Sequence, residues 1–254
     1  MLDPALRHAR PSWVVIPARD EEERIGAALS ALDSAARLAP GPVHLVVVDD
    51  GSTDATPLLA AERAGSWPHG EAHVLPGPSA GVGWARRVGF EHALASASVH
   101  HETGALIATT DADSIVPPNW LTEIHLLVDA GHPVIAGDVR LGKGADPLLA
   151  SERELRLERR LAAVRRAEPA AVHPHFAGAN LAFTAEALSQ LTPLPTPEAL
   201  EDDALMARCM EVGLPVLRAH NVTVTTSPRT DGRATQGLAA TLAADARRLG
   251  LIGT

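Results

Sequence analysis

The stretch VHLVVVDDGSTDATPLLAAERA, residues 43–64, decides the fold class of this chain. An apolar run typical of a buried strand, Val43–Val48, ends in Asp-Asp-Gly-Ser, and an amphipathic helical pattern, Thr53–Ala64, follows it. A strand that leads directly into a helix is the repeating unit of a parallel sheet covered by helices. The stretch therefore predicts an α/β fold.

The same alternation extends outward in both directions from this stretch. Further strands are predicted at Trp13–Pro17, Ala72–Leu75, Ala105–Thr109 and Val134–Val139, and further helices at Glu21–Leu38, Val82–Ala97 and Asn119–Ala130. After Arg140 the regularity ends, and the predicted elements are a long charged helix Asp146–Ala167, a strand Asn180–Thr184, a helix Asp202–Val212, short strands Pro215–Leu217 and Val222–Thr225, and a helical tail from about Ala234. The first half is predicted to be doubly wound, and no low-complexity linker separates it from the second half.

Composition excludes several classes of protein. The formal net charge of −9 argues against a general nucleic-acid-binding protein, which would carry a basic surface. Cys209 is the single cysteine, so no disulfide can form within the chain, and it is predicted to fill the core. No apolar run approaches the roughly 20 residues that span a bilayer or has the character of a signal peptide. We therefore expect a cytoplasmic protein without a transmembrane segment.

Polar residues follow three of the predicted strands at the point where each strand ends. These segments are Pro17–Glu22, Asp49–Ser52 and Thr110–Ser114. Because ligands of parallel α/β sheets bind beyond the carboxyl ends of the strands, all three are expected to meet at one rim.

Asp111 and Asp113 lie one residue apart at the end of the fourth strand. Together they offer hard oxygen ligands to Mg²⁺ or Mn²⁺, which complete their shell with water and substrate phosphates. Each acidic motif alone is better explained as turn or helix-cap chemistry. Their joint occurrence at successive strand ends favours a site.

Six ordered segments resemble the family-2 glycosyltransferases of the GT-A fold. They are VVIPARDEEERI (14–25), VVVDDGSTDAT (46–56), GVGWARRVG (81–89), TTDADSIVPPNWL (109–121), FAGANLAF (176–183) and EDDAL (201–205). The resemblance implies a Rossmann-like nucleotide-binding half with a mixed, mainly parallel sheet flanked by helices, plus a smaller acceptor-binding half. It implies a single domain over residues 1–254, with a nucleotide-sugar-binding half at about 12–115, an acceptor-binding half at about 116–235 and a C-terminal helix to 254.

The resemblance also assigns roles to residues that match the family's motifs. The nucleotide-sugar would be bound by Pro17, Ala18, Arg19, Glu21, Asp49, Asp50, Gly83, Arg86, Asp111, Ala112, Asp113, Arg229 and Arg233. The acceptor would be bound by Gly178, Ala179, Asn180 and Glu201, with Asp202 as the general base. The metal ligands would be Asp113, Asp111 and His220.

Simpler structural explanations compete with several of these assignments. Arg86 is equally well explained as a surface arginine beside Arg87, and the loop with Arg229 and Arg233 as a solvated basic loop. The acidic pair at Glu201 and Asp202 can also cap a helix. Of the 12 histidines, His173 and His175 find no partners for a zinc site in the sequence and are predicted to be structural or acceptor-facing.

The predicted reaction is transfer of a sugar, by default from a UDP-sugar and preferably with inversion, to an acceptor hydroxyl. A small acceptor is expected because aromatic residues make up only 3% of the chain and leave few stacking platforms for a long glycan. The Q-x-x-R-W signature and flanking membrane helices of processive members are absent, which argues against polysaccharide synthesis. Two alternatives stay open: a sugar-phosphate nucleotidyltransferase, disfavoured by the acidic residues after strand one, and a non-catalytic nucleotide-binding module.

Overall fold

The computed structural model describes residues 10–102, 104–195, 201–231 and 237–252, without the side chain of Glu201. Its strands are β1 (Ser12–Ala18), β2 (Val43–Asp49), β3 (Ala72–Pro76), β4 (Leu106–Thr109), β5 (Ser114–Ile115), β6 (Val134–Leu141), β7 (Leu181–Thr184) and β8 (Val216–Thr226). Its α-helices are α1 (Ile25–Ala36), α2 (Thr56–Gly65), α3 (Val82–Val99), α4 (Trp120–Asp129), α5 (Pro147–Val164), α6 (Ala185–Gln190), α7 (Glu201–Glu211) and α8 (Leu238–Arg248). A 3₁₀ turn, Gly178–Asn180, directly precedes β7.

The described strands form one mixed sheet in the order β3-β2-β1-β4-β7-β6-β8-β5. Strands β1 to β4 pair in parallel, β7 runs antiparallel to both β4 and β6, and β6 pairs in parallel with β8. The short strand β5 closes the order by antiparallel pairing with β8. The predicted fold class, a mainly parallel mixed sheet flanked by helices, is confirmed.

Alternate residues of β1 face two separate hydrophobic clusters, one on each side of the sheet. Val14 and Ile16 pack on the side of α1 and α4, together with Trp120, whereas Trp13 and Val15 pack on the side of α3. Because side chains alternate along a strand, an unbroken apolar run is the pattern of a strand covered by helices on both faces. The apolar strands can therefore be recognised in the sequence. The polar residues that follow them lie at the rim of the sheet, beyond the covering helices.

Two element boundaries differ from the sequence prediction for identifiable reasons. Helix α1 begins at Ile25 and not at Glu21, because its N-cap residue, Arg24, has a non-helical φ of −122°. The Glu21 and Glu22 amides donate to the side chains of Thr56 and Asp54, which follow β2. Strand β8 is continuous from Val216 to Thr226, where the sequence predicts two short strands. Its pairing with β6 shifts register between Gly137, which pairs with Ala219, and Asp138, which pairs with Thr223. This irregularity joins the two short strands predicted from the sequence into one strand.

Among the residues that the structure describes, no helix combines the length and apolar character needed to cross a membrane.

Candidate active site

A cavity of about 970 Å³ opens at the carboxyl ends of the parallel strands, between the sheet rim and helices α5 and α8. Most of the residues assigned to ligand binding from the sequence line it. They are Pro17, Ala18, Arg19, Glu21, Asp50, Gly83, Arg86, Asp111, Ala112, Asp113, Gly178, Ala179, Asp202 and Arg229. The three strand-end segments are therefore brought together at one rim, as expected from a parallel sheet.

The loops after β1 and β2 are fastened to each other by side-chain to backbone hydrogen bonds. The Thr53 amide donates to the Asp20 carboxylate at 2.6 Å, and the Asp20 amide donates to Ser52 Oγ at 2.8 Å. The Ala55 amide donates to Glu22 Oε2 at 2.9 Å. Much of the acidic run after strand one therefore holds the rim in shape, and Glu21 is the member that lines the cavity.

Asp50 is almost fully buried and caps the start of α3. Its carboxylate accepts hydrogen bonds from the Gly81 amide at 2.7 Å and the Ala80 amide at 3.3 Å, where a negative charge also suits the helix dipole. Asp49, by contrast, does not line the cavity, and its Oδ1 accepts a long 3.4 Å hydrogen bond from the Ser52 amide. Of the two aspartates, Asp50 is the one that reaches the site.

Arg86 is 4% exposed, so the interpretation of it as a surface arginine is wrong. Helix α3 carries it under the rim, where Nη2 donates to Asp111 Oδ1 at 2.9 Å and Nη1 lies 3.7 Å from Asp202 Oδ1. Asp202 Oδ1 also accepts a hydrogen bond from the Gly178 amide at 2.9 Å. One guanidinium thus connects the D-x-D segment to the acidic start of α7.

Asp113 and Glu21 share a second arginine, Arg229, which follows β8. Arg229 Nη2 lies 3.0 Å from Asp113 Oδ2 and also pairs with Glu21 Oε1, while Nη1 donates to Glu21 Oε2 at 2.9 Å. Burial raises the pKa of Asp113, and the Arg229 charge opposes that rise. Burial also disfavours the charged Arg229, but the hydrogen bond to Glu21 and the Asp113 charge outweigh this and raise its pKa.

The surroundings of Asp113 suit a cation, because the Arg229 guanidinium already lies between the carboxylates of Asp113 and Glu21. Asp111 lies on the same turn and lines the cavity, so the D-x-D segment offers it as a second hard oxygen ligand. The interpretation of Arg229 as part of a solvated loop is wrong, since its side chain is only 17% exposed.

His220 does not join the rim. Its side chain is exposed on β8 and does not line the cavity, because it lies where the pairing of β8 with β6 changes register. Its assignment as a metal ligand has no geometric support here.

Asn180 also departs from its assignment, because it is 1% exposed and does not line the cavity. Its Oδ1 accepts a hydrogen bond from Trp120 Nε1 at 2.9 Å, and its Nδ2 donates to the backbone oxygens of Asp138 at 2.8 Å and Val222 at 3.0 Å. Asn180 thus ties α4, β6 and β8 together below Gly178 and Ala179, which do reach the cavity. Arg233 lies outside the described residues, as does the side chain of Glu201.

A second cluster, Asp138, His173 and His175, supplies partners that the sequence analysis did not find for the two histidines. One ligand atom from each lies within 4.8 Å of the others, and His175 Nδ1 is 2.9 Å from Asp138 Oδ1. Hydrogen bonding to His175 outweighs burial and lowers the pKa of Asp138, and burial lowers the pKa of His173 to about 4. A carboxylate with two imidazoles is a ligand set that can hold a divalent cation. The signal in the sequence was a lone aspartate, Asp138, inside the otherwise apolar run Val134–Val139.

A basic wall on the other side of the cavity was not predicted from the sequence. Arg153, Arg156 and Arg160 of α5 all line it. Their spacing of three and four residues was the available signal, because such positions share one face of a helix.

The chain is similar to known proteins of one family. A model of the family described as Glycosyl transferase family 2 matches residues 13–192. Polyprenol monophosphomannose synthase of Mycolicibacterium smegmatis is 33% identical over 137 residues, which is 53% of this chain and 48% of that protein.

Solved structures share the fold over nearly the whole chain. Glucosyl-3-phosphoglycerate synthase from Mycobacterium tuberculosis in complex with phosphoglyceric acid is 25% identical, with a TM-score of 0.60, and the match covers 98% of this chain and 84% of that one. Its complex with Mn²⁺, UDP-glucose and phosphoglyceric acid is 24% identical, with a TM-score of 0.59 and coverage of 98% and 83%.

The matches to curated proteins span half or less of those proteins, 36%, 50% and 48% for three of them.

Proposed function

Because the chain belongs to Glycosyl transferase family 2, we propose that it transfers a sugar from a nucleoside diphosphate sugar, by default a UDP-sugar, to an acceptor. One observation carries the proposal. The D-x-D carboxylates, the cavity-lining members of the first two strand ends and Asp202 all surround a single cavity of about 970 Å³. That volume lies in the range of cavities that bury a ligand of nucleotide size.

On the donor side, Pro17, Ala18 and Glu21 would line the nucleoside pocket, and Asp50 would hold the loop beside it in place. Asp113 and Asp111 would hold a divalent cation, Mg²⁺ or Mn²⁺, which supplies charge stabilisation to the departing diphosphate when bound. Arg229 and Arg86, now paired with those carboxylates, are placed to bind phosphate oxygens, for which the planar guanidinium is well suited.

On the acceptor side, Asp202 would take the proton from the attacking group. The Gly178 amide, 2.9 Å away, and the Arg86 guanidinium hold its Oδ1, so that the carboxylate is oriented before an acceptor binds. Attack on the anomeric carbon from the side opposite the diphosphate would invert its configuration. The nucleotide-sugar-binding half would comprise residues of about 12–115 and the acceptor-binding half about 116–235, in one domain.

The comparisons support this proposal over the two alternatives. The M. tuberculosis neighbour is in complex with Mn²⁺ and UDP-glucose, a metal and donor of the proposed kind. Membership in a glycosyltransferase family favours sugar transfer over nucleotidyl transfer. A non-catalytic module would bind the donor and leave it intact, which the following experiment can detect.

Calorimetric titration with UDP, GDP and their glucose and mannose conjugates, with and without Mn²⁺, tests the donor site. We expect one nucleotide to bind in a metal-dependent manner, and Asp113→Asn to abolish the metal dependence. Asp129→Asn is the matched control, because Asp129 pairs with Arg10 at the surface and does not line the cavity.

Failure of every nucleotide to bind under every metal condition would remove the central premise of the proposal. Binding without release of UDP, in the presence of any phosphorylated or hydroxylated acceptor, would favour the non-catalytic module.

A further inference from the structure

Helix α5 separates its charges by sign around the cavity. Three of its arginines, Arg153, Arg156 and Arg160, line the cavity together with Leu157. Its three glutamates, Glu152, Glu154 and Glu158, do not line it. The formal net charge of the chain is −9, yet every charged side chain that α5 presents to the cavity is cationic. This indicates a ligand with negative charge.

Arg153 is the buried centre of this wall, with 8% of its surface exposed. Its Nη2 donates to the Val139 backbone oxygen at 2.7 Å and lies 3.4 Å from His175 Nε2. Within the described part of the chain, its Nε and Nη1 make no hydrogen bond. Because Arg153 lines the cavity, an anion bound there can accept hydrogen bonds from these unused donors.

The other two arginines are only partly neutralised. Arg156 pairs with Asp245 of α8, but Asp245 also lies 3.5 Å from Arg248 Nη2 and so serves two arginines. Arg160 is exposed and forms no ion pair with any residue that the structure describes. His175 lines the cavity beside Arg153 and is oriented by Asp138 at 2.9 Å.

This wall is distinct from the donor rim. The arginines of the rim, Arg86 and Arg229, are matched by Asp111, Asp113 and Glu21, and a diphosphate bound there has its own partners. The arginines of α5 face the cavity from the helical side, where no described carboxylate of α5 accompanies them.

We propose that Arg153, Arg156 and Arg160 form an anion-binding subsite that holds a phosphate group of the acceptor. The inference rests on the proposed function, since it concerns the second substrate of the same cavity. Arginine suits this task because its fork binds two phosphate oxygens at once. A small phosphorylated hydroxy acid and a lipid phosphate share this chemistry.

Binding of two phosphorylated probes, 3-phosphoglycerate and farnesyl phosphate, tests the subsite against their dephosphorylated counterparts, glycerate and farnesol. Calorimetry is run with and without UDP and Mn²⁺ on the wild type, Arg160→Gln, Arg153→Lys and Arg159→Gln. Arg159→Gln is the matched control, because Arg159 is exposed on the same helix and does not line the cavity. Arg160→Gln changes an exposed residue and leaves folding intact, and Arg153→Lys keeps the buried charge.

We expect the wild type to bind a phosphorylated probe and not its dephosphorylated counterpart. Arg160→Gln and Arg153→Lys should each weaken that binding about tenfold, while Arg159→Gln leaves it unchanged. Preference for 3-phosphoglycerate identifies a small acceptor, and preference for farnesyl phosphate a lipid one. Phosphate binding by a wild type that binds no UDP would support the subsite while the proposed function fails.

Three results would overturn the subsite. The first is that neither phosphorylated probe binds under either condition. The second is that Arg159→Gln weakens binding as much as Arg160→Gln, because the effect would then reflect general charge. The third is that Arg160→Gln and Arg153→Lys weaken UDP binding to the same degree, because the arginines would then serve the donor.

Discussion

Gly178 shows how closely the site is packed at the level of a single residue. A Cβ atom built at this position would lie 2.1 Å from Arg86 Cζ, so any larger residue must displace the guanidinium. Displacement would break the contacts of Arg86 with Asp111 and Asp202, which hold the two sides of the site together.

Gly178→Ala should therefore lower sugar transfer about tenfold or more, because small misplacements of positioning groups are costly in catalysis. The fall in stability should be smaller, about 1–3 kcal/mol. Turnover and urea unfolding measure the two effects separately. Gly26→Ala is the control, since Gly26 is exposed on α1 and a Cβ there meets nothing within 4 Å. Full activity of Gly178→Ala would contradict the packing argument.

Cys209 gives a second prediction for a single residue. It is fully buried in the cluster on the α3 side of the sheet, and burial raises the pKa of its thiol to about 11. Since the thiolate is the reactive form, the native protein should not react with Ellman's reagent at pH 8, and one thiol should titrate in urea. Rapid labelling of the native protein would show that Cys209 is accessible.

Some residues of the rim could be predicted from the sequence, and others could not. Asp113 and Asp202 line the cavity, and each follows or begins a regular element that the sequence predicts. Asn180 does not line it, because its three hydrogen-bond partners lie on α4, β6 and β8, and no local pattern predicts those contacts. The burial of Arg86 likewise depends on Asp111 and Asp202, which are distant in the chain.

At the scale of elements, α5 depends on its N-cap. The Asp146 carboxylate accepts hydrogen bonds from the Leu148 amide at 2.8 Å and the Leu149 amide at 3.4 Å, and Pro147 occupies the first helical position. These features mark a helix start in the sequence, and the predicted and observed starts differ by one residue.

Asp146→Ala should lower the free energy of unfolding by about 1 kcal/mol, because two amides lose their acceptor. Asp146→Ser should retain most of the stability, since serine is also a good cap. Urea denaturation of the three proteins compares them directly. Equal stability of the alanine and wild-type proteins would mean that water replaces the cap without cost.

Other elements could not be placed from local sequence. The short helix α6 was missed, because six residues are too few for a clear helical period. The wall formed by α5 and α8 was also missed as part of the site. Both helices were predicted, but their position over the rim depends on packing of Leu149 against Leu242 and Ala246.

For the whole molecule, buried histidines predict how stability depends on pH. Burial lowers the pKa of two histidines, His125 and His173, to about 4 each, below the ordinary histidine value of 6.5. His125 Nε2 lies 2.8 Å from Ser12 Oγ. Between pH 4 and pH 6.5 these two histidines are protonated in the unfolded chain but not in the native protein. The free energy of unfolding should therefore fall as the pH falls from about 6.5 to 4, by roughly 3 kcal/mol for each histidine. Below about pH 4 the two histidines should cause no further fall.

Urea unfolding from pH 7 to pH 4 measures this dependence. His125→Gln should reduce the slope, because one of the two buried histidines is removed, whereas the exposed control His220→Gln should keep the wild-type slope. An unchanged slope in His125→Gln would show that His125 is protonated in the native protein as readily as in the unfolded chain.

Strand β7 runs against its neighbours, so a strand begins at the edge of the sheet where β1, β2 and β4 end. The rim consequently receives a main-chain N–H group, that of Gly178, where the parallel strands contribute side chains. A main-chain donor is present whichever amino acid occupies a position, proline excepted. Asp202 is contacted by the Arg86 side chain and by the Gly178 amide. The first contact can be lost by a single mutation of Arg86, while the second does not depend on which side chain is present.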